Sequence, residues 1–140
     1  MVDNRNLVSV FDYEAAAREK LPKTAYDYYR SGANDEITLR ENHAAYERIQ
    51  LNPRVLIDIS KPDLSTRVLG QEVAMPILVA PTAFHRMAHP EGEVATVRAA
   101  GQAGTIMMLS TLSNSSFEEV MPAATGPVWF QLYVYKDRDA

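Results

Sequence analysis

The sequence lacks several features that identify common classes of protein. It contains no cysteine, which excludes disulfide bonds, thiolate metal sites and a catalytic thiol. No apolar run approaches the roughly 18 residues that a membrane-spanning helix needs. Positive charge is not in excess, since 14 Lys and Arg stand against 18 Asp and Glu, so we expect no nucleic-acid partner. Met1–Asn6 include an early acid and lead into no apolar segment, so we expect no secretory signal.

Two kinds of ligand-binding motif are missing as well. There is no Gly-x-Gly pair, which excludes a Rossmann fingerprint and a P-loop. His85, His89 and Glu93 have the spacing of metal ligands on one helical face, but Pro90 interrupts the run, and we expect no metal site. The composition, with 46% hydrophobic residues in 140, is instead typical of a single globular domain.

The first half of the chain predicts three helices and a hairpin. Ser9 and Asp12 have the spacing of a capping box and open a helix that reaches Leu21. The second helix runs from Pro22 to Gly32, with the glycine as its C′ residue, and the third runs from about Asn34 to Ile49. Further on, residues 66–69 and 72–74 predict a hairpin around Gly70-Gln71.

From residue 77 the pattern changes to alternating strands and helices. Three apolar runs predict strands: Ile77–Ala80, which we expect to be buried on both faces, Thr105–Leu109, also buried, and Val128–Val134. Pro90–Ala103 is a predicted helix that Gly104 ends, with Glu93 as one of its early acids, and Ser115 and Glu118 form a second capping box. The strand starts are 28 and 23 residues apart, which indicates parallel crossovers. An open doubly wound sheet and a part of a (β/α)8 barrel both fit, since a complete barrel needs about 250 residues.

In either architecture, ligands bind beyond the carboxyl ends of the strands. Residues 80–83 and 110–113 follow the first two strands and offer small side chains and hydroxyls. Gln131 and Tyr133 are two residues apart in the third strand and leave the same face. Burying the Gln131 amide unpaired would cost about 1–3 kcal/mol, so it needs either a ligand or a backbone partner. These groups together predict a site for a flat ligand.

Four stretches resemble a known family. They are Ala25–Ala33 (AYDYYRSGA), Met75–Ala83 (MPILVAPTA), Met87–Glu93 (MAHPEGE) and Phe130–Arg138 (FQLYVYKDR). From about Phe11 to Arg138 the chain resembles the FMN-dependent 2-hydroxy acid oxidases and dehydrogenases, the group of glycolate oxidase, lactate oxidase and flavocytochrome b2. The resemblance implies the N-terminal part of a TIM (β/α)8 barrel with FMN at the strand ends. Residues 1–75 would form a helical and hairpin extension, and residues 76–140 the first three βα units of the same domain.

The resemblance also implies roles for individual residues. Pro81, Thr82 and Ala83 would run along the flavin, and Ser110 and Gln131 would hydrogen-bond the polar edge of its ring. Tyr28 would bind the substrate carboxylate, and Tyr133 would bind near the hydroxyl that becomes the ketone. The family's catalytic His, Arg and Lys belong to its C-terminal half, so we assign no catalytic residue and expect the 140-residue chain alone to be inactive. His85 and His89 do not match the catalytic His.

The implied reaction is oxidation of a small (S)-2-hydroxy acid to the 2-oxo acid. Leu112 stands where plant glycolate oxidases usually carry Trp, which favours lactate over glycolate. The alternative is a non-catalytic fragment or interaction module that pairs with a second half-barrel. The family also implies a homo-oligomer, often a tetramer, and we expect a cytoplasmic location, with the peroxisome as the other option.

Overall fold

The computed structural model describes residues 7–137, in two compact units that divide between Asp58 and Ile59. The expectation about a secretory signal concerns residues 1–6, which lie outside the described residues. Arg138, the last residue of the fourth family-like stretch, lies outside them too.

The first unit contains three helices, α1 (Val10–Lys20), α2 (Lys23–Arg30) and α3 (Ile37–Glu47). The predicted capping box opens α1: the Ser9 hydroxyl accepts from the Asp12 N–H at 3.4 Å, and the Asp12 carboxylate accepts from the Ser9 N–H at 2.7 Å. Glu14 joins α1 to α2, since its carboxylate contacts the Arg30 guanidinium at 2.7 Å and accepts from the Tyr26 hydroxyl at 3.3 Å.

Gly32 takes the predicted C′ position, since Ser31 is the C-cap of helix α2. Ser31 is extended (φ −80°, ψ 150°), and Gly32 itself does not have a positive φ. A Cβ atom at Gly32 would instead lie 3.0 Å from the Cβ of Leu39, so the glycine is needed for the close approach of α3. That helix starts later than predicted, after Glu36, which has a φ of 56°.

The hairpin opens the second unit. Its strands are β1 (Thr66–Val68) and β2 (Gln71–Val73), and Val68 pairs with Gln71. The turn is therefore Leu69-Gly70, one residue earlier than predicted. Both residues have positive φ, 47° and 81°, as a two-residue turn of type I′ requires.

Parallel strands form the centre of the second unit. Strand β3 (Met107–Ser110) pairs with β4 (Val128–Gln131), from Met107 opposite Val128 to Ser110 opposite Gln131. Val79 forms a parallel bridge with Met107, so β3 lies between the two neighbouring segments. Helices α4 (Gly92–Gln102) and α5 (Phe117–Val120) make the connections. The predicted α/β class with parallel crossovers is confirmed, and no barrel closes within residues 7–137.

The predicted strand at 77–80 is reduced to the single bridge at Val79, because Thr105 cannot extend the ladder. The Thr105 N–H donates to the Ala100 carbonyl at 3.0 Å, at the end of α4. Its hydroxyl donates to the Ile77 carbonyl instead. Ile77 is 66% exposed, so the expectation that this strand is buried on both faces is wrong within the described residues. Strand β4 is also shorter than predicted, ending at Gln131 rather than Val134.

The core of the unit lies between α4, α5 and β3. Its buried residues are Val97, Ala100, Met107, Leu109 and Val120. Gly104 follows the last residues of α4 with a φ of 66°, and its N–H donates to the Gly101 carbonyl at 3.1 Å. Together with the bond from Thr105 to Ala100, this forms a Schellman motif, as the predicted terminal glycine implied. The motif directs the chain from the helix into β3.

We predict that Gly101→Ala destabilises the protein, although alanine is the better helix former by about 1 kcal/mol. A Cβ at this position would lie 3.2 Å from the Thr125 Cβ and 3.3 Å from the Gly126 nitrogen. Such crowding costs about 1–3 kcal/mol, so the denaturation midpoint should fall. Thr125→Ala should restore part of the loss, whereas Gln102→Ala on the exposed side of α4 should change little. A midpoint for Gly101→Ala at or above that of the unaltered protein would contradict the close approach.

Candidate functional site

The ends of β3 and β4 bring two of the predicted site residues together. Ser110 and Gln131 are register partners at the last position of each strand. The Gln131 side-chain oxygen accepts from the Ser110 hydroxyl at 3.4 Å and from the Thr111 N–H at 3.3 Å. Among the described residues its amide nitrogen has no hydrogen-bond partner. The carboxamide is therefore anchored by its oxygen, while its two N–H groups can bind a ligand.

Thr111 continues the strand pairing beyond the main-chain ladder. Its hydroxyl donates to the Gln131 carbonyl and accepts from the Tyr133 N–H at 3.2 Å. Thr111 thereby fixes the backbone of Tyr133, whose side chain is 46% exposed. Thr111 belongs to residues 110–113, which follow the second predicted strand, but the sequence predicted no individual role for it. A β-branched hydroxyl residue directly after a buried strand was the available signal.

Pro81, Thr82 and Ala83 follow the bridge at Val79 and reach the same edge of the sheet. The Thr82 hydroxyl donates to the Ala80 carbonyl at 3.5 Å. Next along the chain, the Phe84 N–H donates to the Leu112 carbonyl at 3.1 Å, which ties this loop to the loop after β3. Pro81 and Thr82 are exposed and Ala83 is half-buried. The predicted residues of all three strand ends thus belong to one connected region.

Glu93, in the first turn of α4, is buried beneath these loops with no exposed surface. One carboxylate oxygen accepts from the His85 N–H at 3.2 Å and from the Asn114 N–H at 2.9 Å. The other accepts from the Ser115 hydroxyl at 2.8 Å. A single side chain therefore holds the loop that follows Val79 and the loop that follows β3. This role could not be predicted from the sequence, because Glu93 is indistinguishable there from an ordinary acid at a helix start.

The hydrogen bonds to Glu93 set its ionisation. Burial on its own raises the pKa of this carboxyl, because it disfavours the charged form. The bonds from Asn114, from its own N–H, from Ser115 and from His85 together outweigh burial and bring the pKa below its ordinary value. Glu93 is therefore a carboxylate at neutral pH. Hydrogen bonds to a charged acceptor are worth about 1.5–3 kcal/mol each, so the site loops are firmly held.

Because Ser115 is engaged with Glu93, the predicted capping box at Ser115 and Glu118 is wrong by one residue. Ser116 is the N-cap of α5: its hydroxyl accepts from the Glu119 N–H at 3.3 Å, and the Glu119 carboxylate accepts from the Ser116 N–H at 2.8 Å. Glu119 also pairs with Arg86 at 2.8 Å, which links the loop after Val79 to helix α5.

The two histidines near the site have separate partners. His85 Nδ1 lies 3.0 Å from the Thr96 hydroxyl, and His89 Nδ1 accepts from the Glu91 N–H at 3.2 Å. Within residues 7–137 no group of three His, Asp or Glu side chains is placed to hold a metal ion. In the same residues, no helix has the length and apolar character needed to cross a membrane.

Tyr28 lies in α2, in the first unit, whereas the strand ends belong to the second. Its ring packs edge-on against Tyr29, with ring centroids 5.3 Å apart, and its side chain is 46% exposed. Its assignment to the substrate carboxylate stays a prediction.

Comparison with known proteins identifies close relatives. The sequence profile of the FMN-dependent dehydrogenases matches residues 17–140. Glycolate oxidase 1 of Zea mays is 59% identical over 132 residues, which are 94% of this chain and 36% of the relative. Glycolate oxidase of Spinacia oleracea is 56% identical over 133 residues, again 36% of its length. The chain thus spans about a third of the length of these curated relatives.

Solved structures give the same result. A flavocytochrome b2 variant superposes with a TM-score of 0.89 at 44% identity, over 96% of this chain and 36% of that one. A variant of an active chimera of (S)-mandelate dehydrogenase superposes with a TM-score of 0.85 at 41% identity, over 92% of this chain and 36% of that one. The two units therefore have counterparts in larger proteins of known structure.

We predict that Glu93 contributes to acid sensitivity. Its pKa is lowered in the folded state, so its stabilising effect is complete at neutral pH and is lost as the pH falls below the ordinary value of 4.5 and through the folded pKa. Glu93→Gln cannot titrate, so the variant should be less stable than the unaltered protein at pH 7 and approach it in acid. Denaturant unfolding across this pH range measures the difference. A stability gap that stays constant or widens in acid would contradict the assignment.

Proposed function

The chain belongs to the FMN-dependent dehydrogenase family, and we propose that it forms the N-terminal part of an enzyme that oxidises a small (S)-2-hydroxy acid to the 2-oxo acid. Its parallel strands would then begin a (β/α)8 barrel. The observation that carries the proposal is the anchored Gln131 carboxamide beside Ser110 at the strand ends. With it we propose a homo-oligomer, as the family implies, with the tetramer as its common form, and a cytoplasmic location with the peroxisome as the alternative.

The donor set at the strand ends fits the polar edge of FMN. The pyrimidine part of the flavin ring presents carbonyl oxygens, and the Gln131 amide nitrogen offers two N–H donors for them. The Ser110 hydroxyl lies beside this amide and is 4% exposed, so it adds a second, water-shielded polar group. Pro81, Thr82 and Ala83 have small side chains, which allow a flat ring to approach their backbone.

The two proposed substrate residues would act by hydrogen bonding. Tyr133 has its backbone fixed by Thr111, and its phenol would donate to the substrate oxygen that becomes the ketone. Tyr28 would donate to the substrate carboxylate. Both phenols are half-exposed, so a ligand in solution can reach them.

The reaction removes a proton from the substrate hydroxyl and a hydride equivalent from the α-carbon. When bound, FMN supplies the acceptor for the two electrons. The strand-end side chains of Ser110, Gln131 and Tyr133 are neutral hydrogen-bonding groups that bind and orient. A general base is needed for the proton, and we propose that this base, with the carboxylate-binding Arg and the flavin-facing Lys, belongs to a part of the enzyme C-terminal to this chain.

One observation favours the alternative, a non-catalytic half that pairs with a second half-barrel. Within the described residues β4 has a strand neighbour on one side alone, and the segment after it exposes Leu132, Val134 and Tyr135. An open strand edge flanked by apolar side chains promotes association with another chain. The open edge of β4 fits both the proposed enzyme and the non-catalytic half, so it does not distinguish them. FMN binding does, because only the enzyme requires it.

We predict that the full-length protein binds FMN and is yellow when purified. Gln131→Leu removes the amide donors and should raise the FMN dissociation constant by about tenfold, the equivalent of one to two hydrogen bonds. Gln102→Leu, on the exposed side of α4, is the matched control and should leave the constant unchanged. Titration of FMN fluorescence measures both. A full-length protein that stays colourless with added FMN would support the half-barrel alternative instead.

We predict that the full-length enzyme has a higher kcat/KM for lactate than for glycolate. Leu112 borders the strand ends with its side chain 38% exposed, and an aliphatic residue there leaves room for the methyl group of lactate. Leu112→Trp should lower the lactate-to-glycolate ratio by about tenfold, in the range that one methyl group is worth in a pocket. Leu64→Trp, at an exposed position near the hairpin, is the control. Faster glycolate turnover by the unaltered enzyme would contradict the preference.

A further inference from the structure

Two loops carry most of the proposed flavin contacts. The first site loop, residues 80–87, contains Pro81, Thr82 and Ala83, and the second site loop, residues 111–116, directly follows Ser110. Two hydrogen bonds connect them directly: the Phe84 N–H donates to the Leu112 carbonyl at 3.1 Å, and the Arg86 N–H donates to the Asn114 side-chain oxygen at 3.2 Å. Glu93 is the third connection and comes from neither loop.

We propose that Glu93 is a positioning residue for the flavin, which it never touches. The proposal rests on the function proposed above. One carboxylate oxygen accepts from His85 of the first site loop and from Asn114 of the second, so a single atom sets the separation of the two loops. That separation fixes where the backbone of Ala83 lies relative to the Ser110 hydroxyl and the Gln131 amide.

The backbone at Phe84 makes Ala83 sensitive to this contact. Phe84 has a φ of 58°, a left-handed conformation that side chains other than glycine rarely adopt and that the surrounding structure must enforce. The bond from the very next N–H, that of His85, to Glu93 is one of the enforcing contacts. If it weakens, Phe84 can relax to a common conformation, and the peptide planes on its N-terminal side turn with it. Ala83 is the first residue to move.

Helix α4 itself depends much less on the Glu93 contacts. Its C-terminal half is buried through Val97 and Ala100, and its Schellman motif lies at the far end of the helix. Weakening the Glu93 contacts should therefore displace the loops while the helix and β3 stay in place. The expected consequence is a specific loss of flavin binding beyond any loss of stability.

Glu93→Gln tests the proposal in the full-length protein. The amide keeps the shape and one acceptor oxygen, and the Ser115 hydroxyl can accept from its nitrogen, so the variant is expected to fold. We expect a rise of about tenfold in the FMN dissociation constant and an altered visible absorption band of the bound flavin. Ser115→Ala should give a smaller rise, because the acceptor of the bonds from His85 and Asn114 is still a charged carboxylate, whereas in Glu93→Gln it is a weaker, neutral amide oxygen.

Two controls separate positioning from stability. Glu91→Gln makes the same change at a side chain that is 54% exposed and 3.5 Å from Arg98, and it should leave the flavin unaffected. Gly101→Ala lowers stability at the other end of α4 and should leave the FMN dissociation constant unchanged. If Glu93→Gln does not fold, Ser115→Ala and Glu93→Asp make the same comparison.

Each possible result of the FMN-binding comparison either supports or overturns the positioning role of Glu93. A weakened flavin complex in Glu93→Gln, with normal affinity in Gly101→Ala at an equal loss of stability, supports the proposal. Unchanged flavin affinity and absorption in the Glu93 and Ser115 variants overturn it while leaving the proposed function intact. Equal weakening in Gly101→Ala also overturns it, since flavin affinity would then follow stability. If the unaltered protein binds no FMN, the proposed function fails, and the positioning role fails with it.

Discussion

The arrangement of the strand ends depends on a buried carboxylate that accepts hydrogen bonds from two loops at once. Burying a charge is costly unless each of its oxygens is paired, and Glu93 meets that condition with two backbone N–H groups and one hydroxyl. One donor, His85, lies in the first loop, and the other two, Asn114 and Ser115, lie in the second. Helix α4 and strand β3 stand between the two loops along the chain. The carboxylate can be buried only when both loops have reached their final places, so the loops and the start of α4 must form together.

The position of strand β3 depends on a second kind of contact. At each end of the strand a threonine hydroxyl forms a hydrogen bond to the neighbouring segment. Thr105 precedes the strand and donates to the Ile77 carbonyl on one side. Thr111 follows it and donates to the Gln131 carbonyl on the other side. At both ends the main-chain pairing has stopped, and a side chain replaces the missing contact. The strand is therefore short in its backbone ladder, yet it still holds both neighbours where the site residues begin.

The sequence predicted what depends on local chemistry. The Ser9 capping box, the glycine that ends α4 and the order of parallel segments are encoded within a few residues or by the period of the apolar pattern, and all are confirmed. The family resemblance and its cofactor, FMN, are confirmed as well. The errors arose where a distant residue decides. Ser115 is a good N-cap by spacing, but Glu93, 22 positions away, takes its hydroxyl and the cap moves to Ser116. The need for a glycine at position 32 comes from the close approach of Leu39 in α3, and no local sequence pattern contains that contact.

The residues of the candidate site divide in the same way, into those that local chemistry indicates and those that only a distant contact explains. Gln131 was singled out because a buried amide needs a partner, and the structure pairs its oxygen with the Ser110 hydroxyl. Glu93 and Thr111 were not predicted, because their importance depends on the backbone groups with which they form hydrogen bonds. The groups that would face a ligand are neutral, and the ionised group lies beneath them, with its charge satisfied by donors that belong to the loops. A site built in this way can hold a flat ring and a small acid in a fixed geometry without presenting a carboxylate to either. In the function proposed above, the proton would then pass to a base outside these strand ends.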